Sequence, residues 1–336
     1  MTKEVIVAVI DADVIGYKAA AANEKRTIVA THVASGRKKE FKNRTEFKGF
    51  LDGTKFGLED FVLQDIQTPE NLSFALHTVK CMTETICNGV GTRNYQLVLS
   101  GSSNFRLSIP LPKQYKSGRD DNIRPIQLSE VRDYMMKFQG GVFAPEGVEA
   151  DDDLASRKWK GYKDAQAGKK IKVVACTIDK DDLGCMGWSY NWDKMDTPLY
   201  IDGLGELHME GTKVKGTGRI WLYCQSVYGD PVDTYKPVDI ANQLATKNNT
   251  KKVMFGDKMA YNLLKDCKTD KECWEAIYNQ YLAWYPDVTY YTDWEGIEQA
   301  KDAIDIWQMY MDCAHMRRWK DDRIDVRKVL KNYGFI

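Results

Sequence analysis

Histidine is scarce in this chain of 336 residues: only His32, His77, His208 and His315 occur, and no two stand at metal-ligand spacing. That argues against zinc hydrolysis and against nucleophilic triads built on imidazole. The eight cysteines (81, 87, 176, 185, 224, 267, 273 and 313) form no CxxC pair, and several fall in apolar or helical runs where a thiol behaves as a small hydrophobe. A reducing cytoplasm is the expected compartment. No apolar stretch reaches the roughly 20 residues of a spanning helix, and charged residues make up 29% of the chain, so a membrane protein is excluded. Excess charge is missing as well. Lys plus Arg at 48 balance Asp plus Glu at 48, so a nucleic-acid partner requires segregated basic charge. Any hydrolytic chemistry must rest on carboxylates.

Length allows one large domain or two ordinary ones, with a core that needs no staples. Residues 4–10, EVIVAVI, read as a buried parallel strand, and an Ala-rich helix capped by Asp13 is expected to follow. Residues 27–42 read as two extended arms around Ser35-Gly36, a hairpin whose second arm and sequel carry Arg37, Lys38, Lys39, Lys42, Arg44 and Lys48. A helix near 70–88 leads to a second buried strand at 95–101, and IKVVACTID at 171–179 is a third. Strands alternating with helices imply a mostly parallel α/β sheet covered on both faces. Between the second and third strands, the basic tract FRLSIPLPKQYKSGRDDNIRP reads as a mobile loop or arch, followed by a helix at 128–138. Beyond 240 the pattern turns helical and aromatic. No repeat or low-complexity linker is present.

Carboxylates collect at element ends. Asp11 closes the first strand, Glu149, Asp151 and Asp152 open a helix in GVEADDDLA, Asp179 and Asp181 end the third strand, and Asp230 and Asp233 follow an amphipathic helix. Ligands gather at the carboxyl ends of strands in open α/β sheets, so these eight acids are expected to share one pocket. With two-residue spacing on a strand, Asp179 and Asp181 share a face. So many like charges need cations, and an all-oxygen set suits Mg²⁺ or Mn²⁺. A single acid at a helix start is more often a cap. Four in five residues exceed what a cap requires.

GVEADDDLA, the strand end IDKDD, the helix end YGDPVD and the tract YKSGR together resemble the 5′-nuclease superfamily of flap endonucleases and 5′-3′ exonucleases, most closely its bacteriophage type. The resemblance covers about residues 4–22 and 95–266. It implies a PIN-like mostly parallel sheet with flanking helices, a helical arch or gateway, a helix-three-turn-helix element and C-terminal helices. The chain is expected to divide into a core at 1–235, with an inserted basic hairpin (about 23–56) and an arch (about 104–140), and a helical region at 236–336 packed on it, the hairpin and the last helices lying outside the resemblance. By resemblance, Asp11, Glu149, Asp151 and Asp152 form a first metal cluster and Asp179, Asp181, Asp230 and Asp233 a second, together holding two Mg²⁺ (or Mn²⁺) ions. Lys116 and Arg119 act on the scissile phosphate, and Tyr115 stacks a terminal base. VMFGDKMAYNLL (253–264) is similar to the duplex-gripping helix-three-turn-helix, with Gly256 in its turn, Lys258 toward phosphate and K⁺ as a further ion there. Arg106 and the hairpin cations Arg37, Lys38 and Lys39 complete the expected DNA contacts.

The implied activity is hydrolysis of DNA from free 5′ ends by a monomer, in phage DNA replication or degradation. Duplex, nicked or flap DNA and replication proteins are its implied partners, and the host cytoplasm its place. Two departures stand out: LSGSSNF puts Ser100 and Gly101 where the family often has an aspartate, and Tyr235-Lys236-Pro237 with some fifteen further residues separate Asp233 from the duplex-binding element. A PIN-like ribonuclease shares the acidic clusters, and a non-catalytic DNA-binding protein is the reading that Ser100 and Gly101 suggest.

Overall fold

In a computed structural model that describes residues 4–119 and 123–336, the chain divides into two compact units. Residues 1–12, 86–122 and 141–336 make the larger, and residues 13–85 and 123–140 the smaller. The expected arch at 104–140 runs through Asp120, Asp121 and Asn122, which lie outside the described residues. It is not one helical arch: short 3₁₀ turns at Phe105–Ser108 and Ser117–Arg119 belong to the larger unit, and the helix Leu128–Phe138 belongs to the smaller.

The larger unit is built on a six-stranded sheet in the order Gly141–Phe143, Tyr95–Leu99, Val5–Asp11, Ile171–Cys176, Gly187–Tyr190, Leu199–Ile201. Every pairing is parallel except the last. The β-branched runs around Val9 and Val98 are buried, as strands need to be when both faces are covered. The helix Ala150–Gln166 lies against the strand Ile171–Cys176, packing Ala150 and Leu154 with Val9, Val98 and Ala175. Gly161 permits that approach, since a Cβ there would come within 2.7 Å of Val173.

Beyond residue 236 come the helices Asp239–Lys247, Asp257–Leu264, Asp270–Trp284, Ala303–Ala314 and Val326–Tyr333, all in the same unit as the sheet. Their core is aromatic: Tyr281 stacks on Trp307 at 5.6 Å, and Trp274 lies 4.7 Å from Trp307. The helical reading of this region missed a hairpin, Thr289–Thr292 with Glu298–Lys301, whose short arms lie below the length at which alternation is legible.

In the smaller unit the expected hairpin forms, with Glu24–His32 antiparallel to Lys38–Phe41 and Gly36 in the left-handed region at φ 66°. The insertion extends further than expected, because Phe61–Pro69 pairs along the other edge of Glu24–His32 and makes a three-stranded sheet. The helix Arg44–Asp52 closes it through Phe47, which meets Phe41 and Phe61 edge to face at 5.3 and 5.4 Å. Asp13 does not cap its helix. It lies in the first turn of Ala12–Ala22, and its carboxylate accepts from Arg132. None of the chain's nine tryptophans falls within 13–85 or 123–140.

Candidate metal-dependent active site

Two adjacent strands of the larger unit bring the first acids together. Asp11 is the last residue of Val5–Asp11, buried, and its Oδ2 accepts from the Thr177 hydroxyl at 3.1 Å just beyond the neighbouring strand. Asp179 and Asp181 are not on that strand, which ends at Cys176. Asp179 sits in the following loop and Asp181 opens the 3₁₀ turn Asp181–Gly184. They are joined not by strand alternation but by a local bond, the Asp181 amide donating to Asp179 Oδ1 at 2.9 Å.

Glu149 is the N-cap of the helix Ala150–Gln166, and its Oε1 accepts from Lys116 at 2.5 Å. The Ser100 hydroxyl, at the position where an aspartate was expected, accepts from the Ala150 amide at 2.9 Å and so serves the same helix start. Asp230 and Asp233 follow the helix Arg219–Tyr228. Gly229, at φ 84°, allows the chain to turn, because a Cβ there would lie 2.4 Å from the Tyr235 carbonyl. Asp230 and Tyr235 then exchange backbone bonds at 2.9 and 3.1 Å. Part of the extra segment thus clamps the acidic turn.

The basic tract docks on that turn. The Lys116 amide donates to the Asp233 carbonyl at 2.9 Å with Lys116 itself at φ 62°, and the Gly118 amide donates to Thr234 Oγ1 at 3.0 Å. Arg119 donates to Asp233 Oδ1 at 2.5 Å, and Lys180 pairs with Asp230 and lies 3.5 Å from Asp181. Lys180 and Gln225, which donates to Asp181, went unread in the sequence. A lysine between aspartates in IDKDD was the available signal for the first; Gln225 offered none.

Three expected residues are placed otherwise. Asp152 is fully buried, and both its oxygens are taken: Arg106 donates to them at 2.8 and 2.9 Å, the Arg317 amide to Oδ1 at 3.0 Å and the Glu149 amide to Oδ2 at 3.2 Å. It is a positioning residue rather than a metal ligand. Arg106 is equally buried and also donates to the carbonyls of Cys313 and His315, so it is not a DNA contact. Tyr115 is 5% exposed and donates to Asp233 Oδ2 at 2.6 Å, which leaves no ring face for a base. The fourth acid of the run, Asp153, pairs with Arg157.

Electrostatics single out the centre of the site. Burial pushes the Asp151 carboxyl well above the usual carboxylate range, and the charges of Asp11 and Asp179 push the same way. Burial raises Asp179 too, with Asp233 and Asp230 adding to it. Asp181, buried beside Asp179, is pushed up to about 8. Burial works against the charge on Lys116, but Asp233 and Glu149 outweigh it and hold the ammonium above its ordinary value. Asp151 belongs with Asp11, Glu149 and Lys116, while Asp181 and Asp230 flank Lys180 and Asp233 lies beside Arg119 and Lys116; Asp179 interacts with both groups of acids. Seven carboxyls therefore share the site with three cations.

Asp151 Oδ1 is buried and has no hydrogen-bond partner. Among the described residues no three of these side chains already converge as a ligating group, their oxygens being turned to Lys116, Lys180 and Arg119. The donor set nevertheless fits a hard divalent cation: oxygen throughout, negative in excess, with one buried oxygen lacking any donor.

No family model and no curated protein matches the chain. Solved structures do. Over 98% of its length it is similar to a bacteriophage T5 protein crystallised with metal ions (11% identity, TM-score 0.48, 97% of that chain covered). It is similar over the same share to the T5 flap endonuclease in a pseudo-enzyme–product complex with DNA and metal ions (12% identity, TM-score 0.46, 98% of that chain). A mutant T5 5′-exonuclease gives 12% identity and a TM-score of 0.45 over 96% of its chain.

The remaining expected contacts are spread out. Lys258 is exposed on the helix Asp257–Leu264, and Gly256 is that helix's N-cap, in extended rather than left-handed conformation. Residues 248–256 separate this helix from Asp239–Lys247, so a helix, a connecting stretch and a second helix are present. Arg37, Lys38 and Lys39 lie in the smaller unit.

Proposed function

We propose that the chain is a divalent-metal-dependent nuclease that hydrolyses DNA phosphodiesters from free 5′ ends, as a 5′-3′ exonuclease and flap endonuclease. The observation that carries this reading is the buried Asp151 Oδ1, which lacks any hydrogen-bond donor while the charges of Asp11 and Asp179 press on its carboxyl and Lys116 lies beside it. Buried carboxyls at the carboxyl end of a parallel sheet are costly to ionise and need a reason to be there. Asp11, Glu149, Asp151 and Asp179 would hold one ion, and Asp179, Asp181, Asp230 and Asp233 a second. Divalent ions bound there would supply an activated water and stabilise the leaving oxygen.

The chain's own residues supply the rest. Lys116 and Arg119 each spend their charge on a carboxylate, so both are oriented in advance. At a phosphate bound in the site, the ammonium and guanidinium would neutralise charge developing on its oxygens. Asp152 and Arg106 lock the helix start that presents Glu149 and Asp151. No side-chain base is required, in keeping with the site's lack of histidine. Lys258 would hold duplex backbone away from the reacting phosphate.

A digestion time course with matched 5′-flap, nicked and blunt DNA, and an RNA of the same sequence, tests the reading. Cleavage of DNA from the 5′ end with Mg²⁺ or Mn²⁺, leaving 5′-phosphates and ceasing in EDTA, is expected. Undiminished cleavage in chelator, or a preference for RNA, overturns it.

A further inference from the structure

The smaller unit contains a second concave site, far from the acids in chemistry. A cavity of about 520 Å³ opens on its three-stranded sheet, a volume in the range of small-ligand pockets. Cations from one hairpin line one side: Arg37, Lys38 and Lys39, with His32 at the end of the partner strand. Phe50, Phe56 and Phe61 line the other, and among the described residues no acid contributes to the wall.

Strand geometry explains the floor. Ala30 pairs in register with Lys39, and its small side chain leaves the room that a larger residue would fill. Alternation puts Lys39 on the same face as Phe41, so its ammonium lies 5.1 Å from that ring and 4.2 Å from Phe50. His32 is fixed by Ser35 Oγ at 2.8 Å and lies 4.7 Å from Phe56. Phe56 meets Phe61 edge to face at 5.8 Å yet remains 46% exposed at the mouth. Neither Arg37 nor Lys38 forms an ion pair among the described residues.

We infer that this pocket binds a nucleotide unit, its base stacked on the phenylalanines and its phosphate against Arg37 and Lys38. Rings alone suit any apolar ligand, and cations alone suit any polyanion. Their close placement, with no acid between, matches a ligand that is flat and aromatic at one end and anionic at the other. Lysine 39, already committed to two rings, would add a cation to the stacked base. The inference uses the proposed function only in supposing that nucleic acid reaches the chain.

Binding of a fluorescent single-stranded oligothymidylate, measured by anisotropy in EDTA so that no cleavage intervenes, tests it on the full chain. Phe56→Ala should weaken binding about tenfold with the salt slope unchanged, as loss of one stacked base does. Phe56→Trp should retain affinity. Arg37→Gln with Lys38→Gln should lower the salt slope by about 0.7, as loss of one neutralised phosphate on a single strand does. Far-UV circular dichroism checks each variant, and Phe56→Leu replaces the alanine if that protein unfolds. Iodouracil placed in the oligonucleotide should cross-link to residues 50–61. Competition by thymidine monophosphate distinguishes a free nucleotide from a strand as the source. Full affinity in folded Phe56→Ala, polyphosphate competing as well as the oligonucleotide, or cross-links confined to the larger unit would overturn the pocket. Failure there leaves the acid site untouched, and failure of cleavage leaves the pocket standing.

Discussion

At Asp151 a carboxylate oxygen is buried without a donor while Asp11 and Asp179 press their charges upon it. Replacing Asp151 or Asp179 with asparagine removes one of those charges at little change in volume, so turnover should fall to background while DNA binding stays equal or tightens. Anisotropy beside a cleavage assay checks it, and joint loss of both would make these acids structural. Lys116→Ala should lower kcat on the order of 10²-fold at saturating DNA, because its charge matters most when the phosphate becomes more negative. A change confined to KM would reassign it to docking. Individual residues were the scale at which the sequence was hardest to read. Acids at the ends of strong periodic runs, such as Asp11, were legible because the run itself locates them. Asp152 and Arg106 were not, since their pairing spans 46 positions and nothing local distinguishes a carboxylate that holds a metal from one that holds a guanidinium. Tyr115 was misassigned for the same reason, its partner Asp233 lying 118 positions away.

Among elements, the helix Asp257–Leu264 buries Ala260 and Leu264 and leaves Lys258 exposed. Lys258→Ala should weaken duplex binding across sequences and reduce the slope of log affinity against log salt by about 0.9, as one phosphate contact does on duplex DNA. An unchanged slope in a salt titration would remove this helix from the interface. The segment after Ala303–Ala314 forms a clasp of another kind: buried His315 Nε2 lies 2.8 Å from Asp322, which also accepts from Arg318 at 2.8 and 3.0 Å. Burial lowers His315 from its ordinary 6.5 despite Asp322, and for Asp322 the His315 and Arg318 hydrogen bonds outweigh burial and hold it far below 3.8. Both groups are depressed, so the stability they confer is complete above pH 6.5 and is lost on acidification. The histidine contribution fades first, below 6.5, and the aspartate contribution below 3.8. Thermal melts of His315→Gln should show a flatter decline between pH 6.5 and 5 than the parent protein. The strands Val5–Asp11, Tyr95–Leu99 and Ile171–Cys176 and the helix Leu128–Phe138 were legible from apolar periodicity alone. The strand Phe61–Pro69 was not, because its mixture of Gln, Asp and Thr with apolar residues shows no clean period until Glu24–His32 lies beside it.

For the molecule as a whole, excess negative charge in one pocket ties stability to cations. Adding Mg²⁺ to EDTA-treated protein should raise its Tm, with a stabilisation of about 2.7 kcal/mol at a hundredfold excess over Kd, and Asp179→Asn should blunt the rise. An equal shift in both proteins would mean that the ion binds elsewhere. The distribution of tryptophan has its own experimental consequence. Because all nine indoles reside in the larger unit, intrinsic emission excited at 295 nm is blind to the three-stranded sheet and its helices. A denaturant titration followed by that signal reports one unit only, whereas far-UV circular dichroism reports both. Coincident curves would mark a single cooperative transition, and an early dichroic loss would assign the weaker unit by subtraction, without any label.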